Sequence, residues 1–102
     1  MYIVLELMEG GDLFDYLAKR SFKLPVIRIK EVFRGISEAV SHFHSKQILH
    51  RDIKLENVLM SSDEEDAVPK IADFGLSCVL GDGQRLEKAY GTSGYMAPEI
   101  LL

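Results

Sequence analysis

The run His50-Arg51-Asp52-Ile53-Lys54-Leu55-Glu56-Asn57 sets carboxylates, an ammonium and an amide within one short stretch of the 102-residue chain. Asp73-Phe74-Gly75 follows it, and Ala97-Pro98-Glu99 closes the series. A carboxylate can orient or accept a hydroxyl proton, carboxylate and amide oxygens suit a hard divalent cation, and an ammonium offsets anionic charge. Taken singly, each residue has an ordinary reading: Asp52 in a turn, Asn57 as a cap, Lys54 on a solvated face. Their joint order carries the information, because each fixed residue type is met by chance only about one time in 20.

At these residues the sequence resembles the eukaryotic protein kinase family, whose signature set contains the same blocks in the same order. Phosphoryl transfer asks a protein mainly for positioning and charge compensation. The resemblance implies that Asp52 orients the substrate hydroxyl, that Asn57 and Asp73 bind Mg²⁺, and that Lys54 contacts the transferred phosphate of ATP. It further implies that Thr92, in Gly91-Thr92-Ser93-Gly94-Tyr95-Met96-Ala97-Pro98-Glu99, hydrogen-bonds to the catalytic Asp and Lys. Lys54 and Thr92 both mark the Ser/Thr type, and the Ala-Ala-Arg run of tyrosine kinases does not follow Asp52. His50 and Phe74 are assigned to packing around the loop, and Gly94 to Ala97 to the flank of the pocket for the residue after the phosphoacceptor.

On the nucleotide side, the resemblance places Leu5 at the gatekeeper position, with Glu6 and Met8 offering main-chain groups to adenine. Leu59 becomes the apolar floor under the purine, with Leu13 beneath it. Asp12 matches a position that meets ribose hydroxyls or a basic substrate residue, although a helix-start carboxylate in solvent is the competing reading. Asp12 and Glu56 together match acids that receive a basic residue on the N-terminal side of the acceptor, which points to Arg three positions before the target Ser/Thr.

Arg51 ordinarily needs an anion from the segment that follows Asp73. Lys88 stands at the usual phosphothreonine position, so Glu87 beside it is the expected stand-in, with Tyr90 a nearby hydroxyl. Leu55 replaces the commoner Pro, which predicts altered loop stiffness with the chemistry kept. The wording Glu6-Leu7-Met8-Glu9-Gly10-Gly11-Asp12-Leu13 is similar to calmodulin-dependent kinases, and the segment after Asp73 resembles phosphorylase kinase catalytic subunits.

Positioning these groups falls to a few elements. Tyr2-Ile3-Val4-Leu5 with Leu7 predicts a buried strand, ended by Gly10-Gly11. Asp12 opens a short helix with Leu13, Phe14, Leu17 and Ala18 on its apolar face. Apolar residues Ile29, Val32, Phe33, Ile36, Ala39, Val40 and Phe43 recur at three and four, predicting a helix from Pro25 to about Ser45. At 1.5 Å per residue it would be about 30 Å long. His42 and His44 near its end are read as packing residues, and Gln47 is an uncomfortable residue for a left-handed cap. Val58-Leu59-Met60 and Lys70-Ile71-Ala72 predict a hairpin, its long acidic connection a mobile surface loop. Four consecutive acids there lack the alternating ligands and Gly of a calcium loop.

These readings amount to an α+β chain with a partial protein-kinase-like fold: the last small-lobe strand and hinge plus the N-terminal half of the mainly helical large lobe. The expected division is strand and hinge over 1–11, two large-lobe helices over 12–47, catalytic loop and hairpin over 48–72, and activation segment over 73–102. No G-x-G-x-x-G occurs, and the first lysine, Lys19, already lies past the hinge, so the β3 Lys and its partner Glu are expected outside this chain. A partly folded product with exposed apolar faces, weak ATP binding and negligible transfer is therefore the expectation for the isolated segment.

Composition is ordinary for a globular chain, with 47% hydrophobic and 27% charged residues. A net charge of -4 without a basic patch predicts neither nucleic acid nor an anionic membrane as partner. The lone cysteine, Cys78, and the lack of a leader or spanning run predict a cytosolic or nuclear protein. Two functions follow. One is ATP- and Mg²⁺-dependent phosphoryl transfer to Ser/Thr of protein substrates, as part of a longer kinase. The alternative is a truncated, non-catalytic decoy or interaction module.

Overall fold

The computed structural model describes residues 1–101 and contains three helices and two small antiparallel sheets among them. Helix α1 (Leu13–Ala18) starts where Asp12 turns its side chain back to accept from the Asp15 N–H at 2.8 Å. That bond satisfies one of the free donors of the first turn. Its buried face is Leu13 and Tyr16, so Phe14, expected inside, lies 43% exposed and Tyr16 fills the core instead. The correction follows the spacing: Leu13, Tyr16 and Leu17 stand at i, i+3 and i+4, a stripe that Phe14 leaves.

Helix α2 (Val26–Ser45) begins after Pro25, whose fixed φ suits a helix entry and whose missing N–H costs nothing there. Val32 and Phe43 are its buried anchors, with Ile36 half-buried, whereas Ile29 and Phe33 stay exposed. Gly35 lets the helix approach the hairpin, since a Cβ there would lie 3.0 Å from Pro69 Cγ. His42 is exposed, and His44, also exposed, sets a ring edge against Phe43. Past the C-terminus Gln47 does take the left-handed region, at φ 58°. It is held there by its carbonyl accepting from Leu80 N–H at 2.8 Å and its amide donating to Asp82 at 2.7 Å.

Strand β1 (Ile48–Leu49) pairs with β4 (Cys78–Val79), and β2 (Val58–Met60) pairs with β3 (Pro69–Ile71) in register Val58↔Ile71 and Met60↔Pro69. The second strand of the hairpin therefore starts one residue earlier than its pattern predicts. The connection between β2 and β3 is tied down at several points. Tyr16 Oη donates to the Glu64 carbonyl at 2.7 Å, Arg28 reaches the Ala67 carbonyl, and Lys19 and Arg20 pair with Asp63. Ala67 itself is buried in the core with Leu13, Tyr16, Val32, Val58 and Met60. A polar loop anchored on a buried alanine is a wall of this core.

The predicted strand at Tyr2 to Leu7 does not form. Ile3, Val4, Leu5 and Leu7 are all exposed, because no described strand offers them ladder partners. Pairing begins only at Glu9 and Gly10, whose N–H groups donate to the Ser61 and Met60 carbonyls at 3.3 and 3.0 Å. The Cα radius of gyration is 15.1 Å, above the ~13 Å of a compact chain of this length. Residues 1–7 and 82–90 are exposed throughout.

Candidate active site

The loop between β1 and β2 is braced from within. His50 is fully buried; its Nε2 lies 2.7 Å from the Ala72 carbonyl, and its Nδ1 accepts from the Asp52 N–H at 3.1 Å. A neutral ring protonated on Nε2 serves both contacts at once. Phe74 packs edge-on against His50 at 4.7 Å and against Phe43 at 5.8 Å, joining the loop, the Asp73-Phe74-Gly75 turn and the end of α2. Arg51 and Asp73 both occupy the left-handed region, at φ 71° and 56°. Non-glycine residues there carry local strain that the surroundings must hold, and such residues cluster at functional sites.

Asp52 is the convergence point. Its Oδ1 accepts from Thr92 Oγ1 at 2.8 Å, and Thr92 Oγ1 in turn accepts from Lys54 Nζ at 2.8 Å. Lys54 Nζ lies a further 3.7 Å from Asp52 Oδ2, and Asn57 Nδ2 donates to the Asp52 carbonyl at 2.8 Å and to Oδ2 at 3.3 Å. The Thr92 hydroxyl, above all, holds the Asp52 carboxyl below its ordinary value of 3.8, with the Lys54 ammonium and the Asn57 amide adding to it against the opposing effect of burial. Asp52 is thus an ionised acceptor at neutral pH.

Both Asn57 amide hydrogens are committed to Asp52, which leaves Oδ1 as its free ligand atom. Ala72 N–H donates to the Asn57 carbonyl at 2.8 Å, so the hairpin ladder delivers Asp73 beside Asn57. Asp73 is exposed, with Oδ1 accepting from Gly75 N–H at 3.2 Å. An amide oxygen and a carboxylate on adjacent backbone fit a hard divalent cation such as Mg²⁺.

The remaining expected residues are spread along one edge. Leu59 is half-buried and bridges to Asp12, whose carboxylate caps α1. Glu56 is exposed in the 3-10 turn Leu55–Asn57, which packs against α1. Met8 is half-buried, and the Glu6 carboxylate receives Lys70 Nζ at 2.6 and 2.8 Å. Glu87 does not pair with Arg51. The Arg51 guanidinium instead stacks 4.2 Å from the Tyr90 ring centroid and its Nε donates to the Leu76 carbonyl. Gly91, at φ 125°, lies so close that a Cβ would meet the Arg51 carbonyl oxygen at 2.6 Å. Sequence reasoning names Tyr90 only as a nearby hydroxyl, not as a ring on Arg51, and does not name Gly91 as a contact; their adjacency to Thr92 is the signal that points to them. Beside Asp52 opens a recess of about 250 Å³, bounded by Ile53, Thr92, Tyr95, Met96 and Ile100.

A strained His-Arg-Asp loop, locked to an Asp-Phe-Gly turn and bridged by a distant threonine, defines the class of protein kinase catalytic segments. The protein kinase domain family matches residues 1–102, and the chain belongs to that family. It is 42% identical over 101 residues to the human phosphorylase b kinase gamma catalytic chain, liver/testis isoform, covering 99% of this chain and 24% of that one. It is 41% identical over 101 residues to CDPK-related kinase 4 of Arabidopsis thaliana, covering 99% and 17%. A probable myosin light chain kinase of Dictyostelium discoideum is 42% identical over 101 residues, covering 99% and 32%. These relatives set the chain in the calmodulin-kinase-like Ser/Thr branch. The chain spans less than a third of the length of each of these three relatives.

Proposed function

We propose that this chain supplies the catalytic loop and activation segment of a Ser/Thr protein kinase transferring the γ-phosphoryl group of ATP to protein hydroxyls. The observation that carries the reading is the Thr92 hydroxyl held between Asp52 Oδ1 and Lys54 Nζ. Asp52 accepts or orients the proton of the attacking hydroxyl, and its ionised state at neutral pH suits that role. Lys54 offsets charge on the transferred phosphoryl group, while Thr92 holds the carboxylate and the ammonium in register. Asn57 Oδ1 and Asp73 would hold Mg²⁺, whose charge would offset that of the nucleotide phosphates.

Residues 1–11, which form no strand here, carry the hinge, 12–47 are the first large-lobe helices, 48–72 the catalytic loop and hairpin, and 73–102 the activation segment. Glu6 and Met8 meet adenine through their backbone, Leu59 forms its floor, and Asp12 faces ribose. The apolar recess beside Asp52 receives the residue after the acceptor, and Glu56 with Asp12 receives a basic residue three positions before it. A cytosolic or nuclear site of action accompanies this reading.

The test is Asp52→Asn in the full-length protein. Transfer to a Ser/Thr peptide library should fall by about 10²- to 10⁴-fold while fluorescent ATP binding persists. Retained transfer would overturn the assignment.

A further inference from the structure

Three consecutive residues of the activation segment grip consecutive residues of the catalytic loop. The Tyr90 ring faces the Arg51 guanidinium at 4.2 Å, Gly91 lies against the Arg51 carbonyl, and Thr92 bridges Asp52 and Lys54. The ladder has no slack, because a one-residue slip would place a side chain where Gly91 has none. Arg51 is half-buried, has a left-handed backbone, and forms no ion pair with a carboxylate among the described residues. Its Nε donates to the Leu76 carbonyl, but a neutral carbonyl leaves the guanidinium without an opposite charge. An aromatic face within about 6 Å attracts a guanidinium through its quadrupole.

We infer that Tyr90 is a positioning residue, whose ring holds Arg51 in the place an anion would otherwise occupy and so keeps Asp52 in register without phosphorylation of the segment. The inference rests on the phosphoryl-transfer reading for its kinetic consequence only. The chemistry required is that of the ring face. Tyr90 Oη makes no hydrogen bond among the described residues, and Lys88, where a phosphate acceptor would stand, has no hydroxyl.

The test uses the full-length protein after phosphatase treatment. Tyr90→Leu should lower kcat about three- to tenfold with the KM for ATP unchanged, and Tyr90→Phe should restore it to within about twofold. Phenylalanines of increasing fluorination placed at position 90 should lower kcat stepwise, since each fluorine weakens the ring quadrupole while the packing volume changes little. A Tyr90→Leu protein as active as the parent, a loss that Phe does not restore, or indifference to fluorination would each overturn the inference. Selectively ¹³C-labelled arginine supplies an activity-independent readout. Arg51 side-chain protons should show a ring-current shift that Tyr90→Leu abolishes. If the parent transfers no phosphate yet shows that shift, the phosphoryl-transfer reading fails and the stack stands; if the parent lacks the shift, the stack itself is refuted.

Discussion

Thr92 donates its hydroxyl proton to Asp52 Oδ1 at 2.8 Å across 40 positions of sequence, and the Thr92 oxygen itself accepts from Lys54 Nζ. One hydroxyl thereby favours the ionised form of a carboxylate and positions an ammonium. Thr92→Val should lower kcat in the full-length protein by about 10²-fold through misplacement of both groups. Thr92→Ser, which keeps the hydroxyl, should recover most of that loss.

The same contact has a pH signature. The folded-state pKa of Asp52 lies below its ordinary 3.8, so the group contributes stability above pH 3.8, and that contribution is lost as pH falls through the folded value. Thr92→Val should move the folded value upward and shrink the contribution, leaving stability below both values unchanged. Carboxyl ¹³C titration of Asp52 checks the first shift, and urea unfolding between pH 6 and pH 2 checks the second.

Gly91 and Gly94 make a matched pair. A Cβ at Gly91 would meet the Arg51 carbonyl at 2.6 Å from a φ of 125°, whereas one at Gly94 meets nothing within 4 Å. Gly91→Ala should cost about 1–3 kcal/mol in denaturant unfolding, and Gly94→Ala should stay within about 0.5 kcal/mol. Equal costs would show that the close approach at Arg51 relaxes freely.

Asp12 separates capping from charge. Asp12→Ala removes the acceptor for Asp15 N–H and should cost about 1 kcal/mol, whereas Asp12→Asn keeps an acceptor and should cost a few tenths. If Asp12 also faces ribose, both variants raise the KM for ATP while Ala lowers the melting temperature more than Asn does.

Tyr16 tests the anchored loop. Its side chain is fully buried and its hydroxyl donates to the Glu64 carbonyl at 2.7 Å. Tyr16→Phe should destabilise by about 0.5–1.5 kcal/mol and raise amide exchange in residues 63–67. Unchanged exchange would place the anchoring in Arg20 and Arg28 instead.

Elements whose causes are local are legible in the sequence. Pro25 and a three-four apolar rhythm locate α2, Asp12 locates the start of α1, and two short apolar stretches bracketing an acidic loop locate the hairpin. Where sequence and structure part, the cause lies in partners remote along the chain. Tyr2 to Leu7 has the composition of a strand, yet a strand exists only against another strand. Tyr16 shares a helical stripe with Leu13 and Leu17, but that it rather than Phe14 is buried is settled by Met60 and Ala67, more than forty positions away. Glu87 is the natural partner of Arg51 by opposite charge, but Tyr90 reaches the guanidinium.

By itself, then, the sequence determined which chemical groups are present, their order, and the family to which they belong, since residue types and spacing are one-dimensional facts. Only the tertiary structure decided which atoms meet: Thr92 Oγ1 between Asp52 and Lys54, both Asn57 hydrogens on Asp52, and Arg51 on a ring face. Those contacts depend on distances of a few ångströms, which no spacing along a chain specifies until packing of His50, Phe74 and Phe43 has brought its distant segments together.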